Sequence, residues 1–499
     1  MNISSLFLNA ANEYPNHIAI IDKKSSIDYA QLQKDVIETA AYFKKKGIKE
    51  GDRVLVFVPM SVDLYRIVLA LFYCGATAVF LDEWVSKKRL ELCCEIADCQ
   101  GFIGVFKARV FSLFSKQLRK IPIKLNLGKK VNEVIPITEL DPNSAALITF
   151  TTGSTGRPKA AKRTHGFLKI QFDALLDEIE PKVDDVDMPA LPIVLFMNLG
   201  MGCTSVIADY KMSKPEKSDI SKVVSQLDTH KVNRITSSPF FITKLTEYGN
   251  EKGLNFEKIE KVFTGGAPVF PSAAKSYKDV FKATEINIVY GSTEVEPISS
   301  IRAKELISRG ETLEHGLPVG KAYHLSNVRV IAISDEPIPA QTEESFSSMI
   351  LEPGSIGEIV VSGPHVLKEY YNNEEAFRAN KILVGDTIYH RTSDSGTIIK
   401  DEIYLTGRCA QLIQKGDELI SPFIIENQLQ EIDGVEIGTI LKLKEEIVLV
   451  IETTFSLEKI TQKTAHIPSD NVKIVAKIPR DLRHNSKIDY PQLVKMISN

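Results

Sequence analysis

The chain is short of cysteine, of net charge and of long apolar runs, and each shortage closes off a class of protein. Six cysteines among 499 residues (Cys74, Cys93, Cys94, Cys99, Cys203 and Cys409) are too few for a disulfide framework. The Cys93-Cys94-Cys99 group has no second ligand pair of zinc-finger spacing beside it, so buried reduced thiols and a reducing cytoplasm are expected. Lys and Arg number 61 against 64 Asp and Glu, a net charge of −3 that gives no electrostatic case for nucleic acid as the main partner. The most apolar window, from Ile67 to Leu81, follows Asp63 and Arg66 and is too short to span a bilayer. It reads as a buried helix running into a strand. No basic segment precedes a long apolar core near Met1, so no secretory leader is expected. A small molecule is the partner left.

What is present is enough chain for more than one hydrophobic core, so at least two domains are expected. The apolar pattern predicts a helix over Tyr29–Lys46, a strand over Arg53–Val58, a helix over Ser61–Cys74 and a strand over Ala78–Leu81. Helices alternating with buried strands indicate an α/β fold with parallel sheets covered by helices. The alternation returns with a helix from about Gly166 to Glu178 and strands near Val262 and Ile286. Ser334 to Gly357 is rich in Pro, Ser and Glu and reads mostly as a surface loop. The pattern breaks near Gly407-Arg408, and short amphipathic strands such as Glu446–Glu452 follow, which suggests a small α+β C-terminal domain.

The richest feature is Thr151-Thr152-Gly153-Ser154-Thr155-Gly156-Arg157-Pro158-Lys159, placed after the apolar run Ala145–Phe150. Gly153 and Gly156 let successive N–H groups turn toward one anion, the hydroxyls add donors, and Lys159 supplies a mobile positive charge. The same composition also makes ordinary polar turns. Its spacing is not that of a Walker loop, which disfavours P-loop kinases and ATPases. A second motif, Tyr290-Gly291-Ser292-Thr293-Glu294, follows the strand-like Ile286–Val289. Its aromatic face can stack on a base, and its carboxylate can hold Mg2+ that bridges phosphate oxygens. Gly265-Gly266-Ala267-Pro268 offers bare backbone against a flat ring, Asp394 can accept from two ribose hydroxyls, and Arg408 can donate to ribose or phosphate. Glu294 also reads as a strand-end acid and Asp394 as a turn residue in Ser393-Asp394-Ser395-Gly396. His165 and His484 receive no role.

With these motifs in this order, the chain resembles the adenylate-forming superfamily of acyl-CoA synthetases, luciferases and peptide-synthetase adenylation domains over roughly residues 10–495. The resemblance implies an AMP-binding N-terminal domain (1–408), a hinge after Arg408 and a small mobile lid (409–499) that carries a catalytic lysine, here Lys487. It further implies that Thr151, Thr152, Gly153, Ser154, Thr155, Gly156 and Lys159 hold the β and γ phosphates of ATP and that Glu294 takes Mg2+. Adenine would lie between Tyr290-Gly291 and the Gly266-Ala267-Pro268 backbone, with Asp394 and Arg408 at the ribose. Thr293, Glu294, Arg408 and Lys487 would serve the chemistry, with partner enzymes of an acyl pathway and no membrane span.

Three positions depart from the superfamily pattern: Ser393 within Thr392-Ser393-Asp394 where glycine is usual, Gln411 where many acyl-CoA synthetases have aspartate, and Ser486 before Lys487 where many have glycine. The phrases Arg483-His-Asn-Ser-Lys-Ile488, Tyr290–Ile301 and Ser362-Gly-Pro-His365 are similar to the olefin-biosynthesis β-lactone synthetases. That narrower resemblance implies activation of a 3-hydroxy fatty acid and its closure to a β-lactone without coenzyme A. A fatty acyl-CoA ligase that takes coenzyme A is the alternative within the class, and a catalytically inactive nucleotide-binding or carrier-docking protein the alternative outside it. The apolar Leu191–Gly200 reads either as an acyl wall, since it offers no acid to an α-ammonium group, or as core.

Overall fold

Local signals and burial agree along most of the chain. Asp28 accepts from the Gln31 N–H to start the helix Tyr29–Lys45, and Ser61 accepts from Leu64 to start Val62–Tyr73. Every residue from Leu64 to Tyr73 is buried; the one charged member, Arg66, is paired with Asp63 and donates to the Thr39 hydroxyl. The computed structural model describes residues 1–81, 86–151, 158–211, 215–309, 313–416, 418–481 and 486–498. They divide into two compact units: Met1–Ser237 with Thr293–Glu296 and Pro364–Ala379, and Ser238–Ser292 with Pro297–Gly363 and Asn380–Asn499. Among the described residues no helix is long and apolar enough to cross a membrane.

In the first unit, the strands Ile123–Leu125, Gly101–Gly104, Arg53–Phe57, Thr77–Phe80 and Ala145–Thr151 lie side by side and parallel, and Lys159–Thr164 closes the sheet antiparallel. A second run places Arg234–Ser237, Val186–Pro189, Thr204–Val206 and Ile18–Ile21 in parallel, with Ser26–Asp28 turned back on the last. In the second unit the order is Asn327–Ile331, Gly357–Ser362, Thr387–Ile399, Glu402–Arg408, Leu317–Ala322, Val295–Arg302, Glu285–Ser292 and Lys261–Gly265. Only the last pair is parallel among those whose register is described. The architecture is thus α/β, with mixed sheets and helices, and a smaller sheet-and-helix module at the C-terminal end. The cysteines are free thiols, all buried except the half-buried Cys409.

That module holds a hairpin (Ile413–Lys415 with Glu418–Ile420), the sheet Val435–Leu443, Glu446–Thr453 and Asn471–Val475, and the helices Pro422–Gln430, Leu457–Lys463 and Tyr490–Ile497. Its middle strand corrects the amphipathic reading. Ile447, Leu449 and Ile451 enter one apolar cluster while Val448 and Val450 enter another with Ile478 and Leu493, so both faces are covered. The Ser334–Gly357 stretch also holds a short helix, Glu343–Ser347, started by reciprocal hydrogen bonds between Thr342 and Ser345. Serine replaces the Glu or Gln usual at that capping-box position, which hid the signal.

Inside the module Glu426 is buried, and its Oε1 accepts from the Tyr490 hydroxyl and the Thr439 hydroxyl, each at 2.7 Å. Burial pushes its carboxyl up to about 7, against the pull of those two hydrogen bonds. The proton is therefore held by the folded chain between about pH 4.3, where an unfolded glutamate titrates, and about 7. This contribution is complete below that window and is lost as pH rises through it. Glu426→Gln is expected to stabilise the protein by about 1–3 kcal/mol at pH 8 and by much less at pH 5. Thermal melts of both proteins at the two pH values test this; a Tm difference that does not change with pH contradicts it.

Candidate active site

Thr152, Gly153, Ser154, Thr155 and Gly156, expected to hold phosphates, lie outside the described residues together with Arg157, as does His484. Their framing is described: Thr151 and Lys159 face each other at the end of the Ala145–Thr151 and Lys159–Thr164 hairpin. The loop therefore springs from the end of a strand in a sheet that is otherwise parallel, where α/β folds place ligand sites.

On the first unit Lys159 and Glu294 are drawn to one residue that sequence reasoning missed. The Lys159 ammonium stands 6.0 Å from the centre of the Tyr370 ring, and the Tyr370 hydroxyl donates to Glu294 Oε1 at 3.2 Å. Backbone contacts position this group. Ala161 bridges Tyr370, Val295 bridges Val366, and the Leu367 N–H donates to the Glu294 carbonyl at 2.7 Å. Because Lys159 and Ala161 share a face of their strand, a tyrosine opposite Ala161 meets the lysine side chain. Burial, then the Glu294 charge, holds the Tyr370 phenol far above its usual range, so it stays a donor. Arg163, also missed, donates to the Thr149 hydroxyl at 2.7 Å and to the Thr293 carbonyl at 2.9 Å, which ties Thr293 to the hairpin. Neither Tyr370 nor Arg163 sits in a recognisable motif; only their partners mark them.

On the second unit Tyr290, Asp394 and Arg408 touch. The Tyr290 hydroxyl donates to Asp394 Oδ2 at 2.8 Å, and Arg408 Nη1 lies 2.9 Å from Asp394 Oδ1. Asp394 and Arg408 are register partners on the antiparallel strands Thr387–Ile399 and Glu402–Arg408. Burial and the Asp394 carboxylate raise the Tyr290 phenol well above its ordinary value, so its hydroxyl remains a donor. Gly265 lies against the Val289 carbonyl, only 2.3 Å from where a Cβ would stand, and Gly266 takes φ +86°. Half-buried Gly266, Ala267 and Pro268 follow directly, just past the end of the strand beside the one that delivers Tyr290. That placement suits a flat ring between backbone and tyrosine.

The departure at Ser393 has a physical counterpart. This residue sits at φ +59°, the left-handed region where glycine is unstrained, and its N–H donates to Glu358 Oε1 at 3.2 Å. Ser393→Gly is expected to stay within about 1 kcal/mol of wild type, since relief of strain offsets a looser unfolded chain. Ser393→Val is expected to cost about 1–3 kcal/mol. Equal Tm values for the valine variant and wild type would contradict the strain.

Lys487 is exposed, in a loop organised by one carboxylate. Asp481 Oδ1 accepts from the N–H groups of Ser486 (3.1 Å) and Lys487 (2.8 Å), and the Asp481 N–H donates to the Lys487 carbonyl at 2.8 Å. Ser486 Oγ accepts from the Phe240 N–H at 3.2 Å, in the first turn of the helix Pro239–Lys252. That helix receives no side-chain cap from its own Ser238, so the serine beside Lys487 serves it from a distant part of the chain. His165 is a structural residue: it is fully buried, its Nδ1 accepts from the Ile3 N–H at 3.1 Å, and burial lowers its pKa to about 4.

The apolar run Leu191–Gly200 forms the helix Pro192–Met201, which packs into the main hydrophobic core. Leu195 and Leu199 are fully buried, whereas Ile193, Phe196 and Met197 line an apolar cavity with Phe7, Phe72 and Phe172. No lining residue is ionisable. Asp187, bonded to the helix's Asn198 at 2.8 Å, is taken up by Arg234 at 3.5 Å.

The chain is an ATP-dependent, AMP-forming ligase that activates a carboxylic acid as its acyl adenylate. The chain belongs to the family of AMP-binding enzymes, whose model matches residues 7–371. It is 26% identical to an olefin β-lactone synthetase of Xanthomonas campestris pv. campestris, over 99% of this chain and 96% of that protein. It is equally 26% identical to a feruloyl-CoA synthase of an Amycolatopsis species, over 85% of this chain and 82% of the other. Among solved structures, the O-succinylbenzoate coenzyme A synthetase of Bacillus subtilis in complex with ATP and a magnesium ion superposes with a TM-score of 0.79 at 19% identity, covering 99% of each chain.

Proposed function

We propose that this enzyme adenylates an alkyl carboxylic acid of fatty type and passes the acyl group to the thiol of coenzyme A. The cavity beside the helix Pro192–Met201 carries the acid class: a wall of aliphatic and aromatic side chains favours an alkyl chain, and an amino acid's ammonium group would be buried without a partner. In the first step a carboxylate oxygen attacks the α-phosphorus of ATP, the bond to pyrophosphate breaks, and the acyl adenylate forms. Lys159 and the loop donors hold the departing phosphates, Tyr290 and the Gly266-Ala267-Pro268 backbone flank adenine, and Asp394 and Arg408 take the ribose. Lys487 offsets the negative charge that gathers on the phosphate oxygens.

The residues suit a magnesium ion. Glu294 is a buried carboxylate, a hard oxygen donor of the kind that would hold such an ion together with water and phosphate oxygens. When bound, magnesium neutralises phosphate charge; Tyr370 keeps the Glu294 carboxylate oriented toward that task. In the second step the thiol sulfur attacks the acyl carbonyl, AMP leaves, and the thiol proton passes to solvent.

The feruloyl-CoA and O-succinylbenzoate relatives support a thiol acceptor, and a thiol attacks without closing a strained ring. A second reading, closure of a 3-hydroxy acid to a β-lactone, is favoured by the full-length similarity to the olefin β-lactone synthetase and by Ser486 ahead of Lys487. Tethering of the 3-hydroxyl supplies a high effective molarity there, offset by the strain of a four-membered ring. Mass spectrometry of products from a 3-hydroxy fatty acid, ATP and magnesium separates the two. AMP release that requires coenzyme A, with a thioester product, supports the thiol reading. A product lighter than the acid by one water and formed without thiol supports the lactone. No pyrophosphate exchange with any fatty or 3-hydroxy acid would leave a non-catalytic nucleotide-binding protein.

A further inference from the structure

We propose that the surface formed by residues 106–120 docks this protein onto an anionic lipid bilayer. Phe106 is 80% exposed, Val110 40%, Leu113 65% and Phe114 68%, the densest run of exposed large apolar side chains among the described residues. Phe106 and Val110 are one turn apart on the helix Phe106–Ser112. The hydrogen bonds Leu113 N–H to Val110 and Phe114 N–H to Phe111 carry the turn onward, so all four side chains gather on one side. The opposite side packs inward through Ala108 and Ser112, so the helix already has its core-facing side and the exposed stripe is a second face. Isolated surface aromatics need no explanation, but a contiguous apolar stripe does.

Charge decides what covers it. Between Asp98 and Glu133 the chain has eight Lys or Arg residues and no acid, in a protein whose net charge is −3. Lys107, Arg109, Lys116, Arg119 and Lys120 are all exposed, and on helical spacing Lys107 and Arg109 flank the apolar stripe on either side. The neighbouring acid, Glu91, accepts from the Lys116 N–H at 3.0 Å and the Ser115 hydroxyl at 3.2 Å, which commits its Oε1 to the loop. Bulky apolar side chains ringed by cations suit the boundary between anionic headgroups and acyl chains. A nucleic acid uses the cations but leaves the apolar stripe in water, and a second copy of this surface repels it. The inference is independent of the acceptor in the second step, and it places the enzyme where long-chain acids are dissolved.

Co-sedimentation of the full chain with vesicles of phosphatidylglycerol and phosphatidylcholine, and with phosphatidylcholine vesicles alone, tests the proposal. Binding is expected only to the anionic vesicles, and it is expected to fall about ten-fold at high salt and about ten-fold in the triple variant Phe106→Ser, Leu113→Ser, Phe114→Ser. The variant should keep the wild-type Tm and exchange rate with a short soluble acid, because all three side chains are exposed. Wild-type protein that stays in solution with both vesicle types overturns the proposal. So does a well-folded triple variant that sediments like wild type, self-association lost in that variant in place of vesicle binding, or tighter binding to duplex DNA than to vesicles. Vesicle binding is read without turnover, so failure of the acid-activation reading would leave this result separate.

Discussion

Lys487→Ala is expected to lower acid-dependent pyrophosphate exchange by about 10²–10³-fold, the loss typical when one charge-stabilising group is removed from a preorganised site. ATP binding should be little changed, because the lysine is assigned to charge that develops during attack. The structure makes the experiment clean. Lys487 is exposed, and the Ser486 and Lys487 N–H groups are held by Asp481 while Ser486 Oγ accepts from Phe240, bonds that truncation of the lysine leaves in place. Truncation should leave Tm nearly unchanged, within about 0.5 kcal/mol in stability. Asp481→Asn loosens the same loop while keeping the ammonium group and should give an intermediate loss. Exchange at the wild-type rate in Lys487→Ala would remove the lysine from the chemistry.

Glu294→Gln is expected to lower kcat by about 10²–10³-fold and to raise the magnesium concentration needed for half-maximal rate. Glutamine keeps the shape and can still accept from Tyr370, so the fold should survive; only the charge is gone. Tyr370→Phe removes the 3.2 Å hydrogen bond but keeps the ring beside Lys159. Its effect should be smaller, about 3–10-fold, in line with one hydrogen bond to a charged group. Rates assayed across a magnesium series distinguish the roles. A glutamine variant with an unchanged magnesium requirement would show that Glu294 acts only through the backbone, where its carbonyl receives Leu367.

The two arrangements differ in how far they could be read from the chain. Asp394 and Arg408 lie on adjacent strands of an antiparallel pair, so their meeting follows from local register once the strands are placed. Glu294 and Lys159 are joined through Tyr370, a residue with no motif of its own and held by a bridge to Ala161. Ser393 was visible as a departure from glycine, but its meaning required φ. The strand Glu446–Thr453 was visible as a strand, yet the covering of both its faces required the helices that pack on it.

The amino-acid order alone determined the alternation of helix and strand, because periodicity, capping and glycine-rich turns act over a few neighbouring positions, and its motifs carried the resemblance that implied the class of chemistry. Tertiary structure alone decided that Tyr370 and Arg163 serve Glu294 and Thr293, that Ser486 caps a helix begun at Pro239, and that Phe106 and Phe114 face water. Those outcomes depend on which distant surfaces pack together and which are left uncovered, and no window of sequence carries that information.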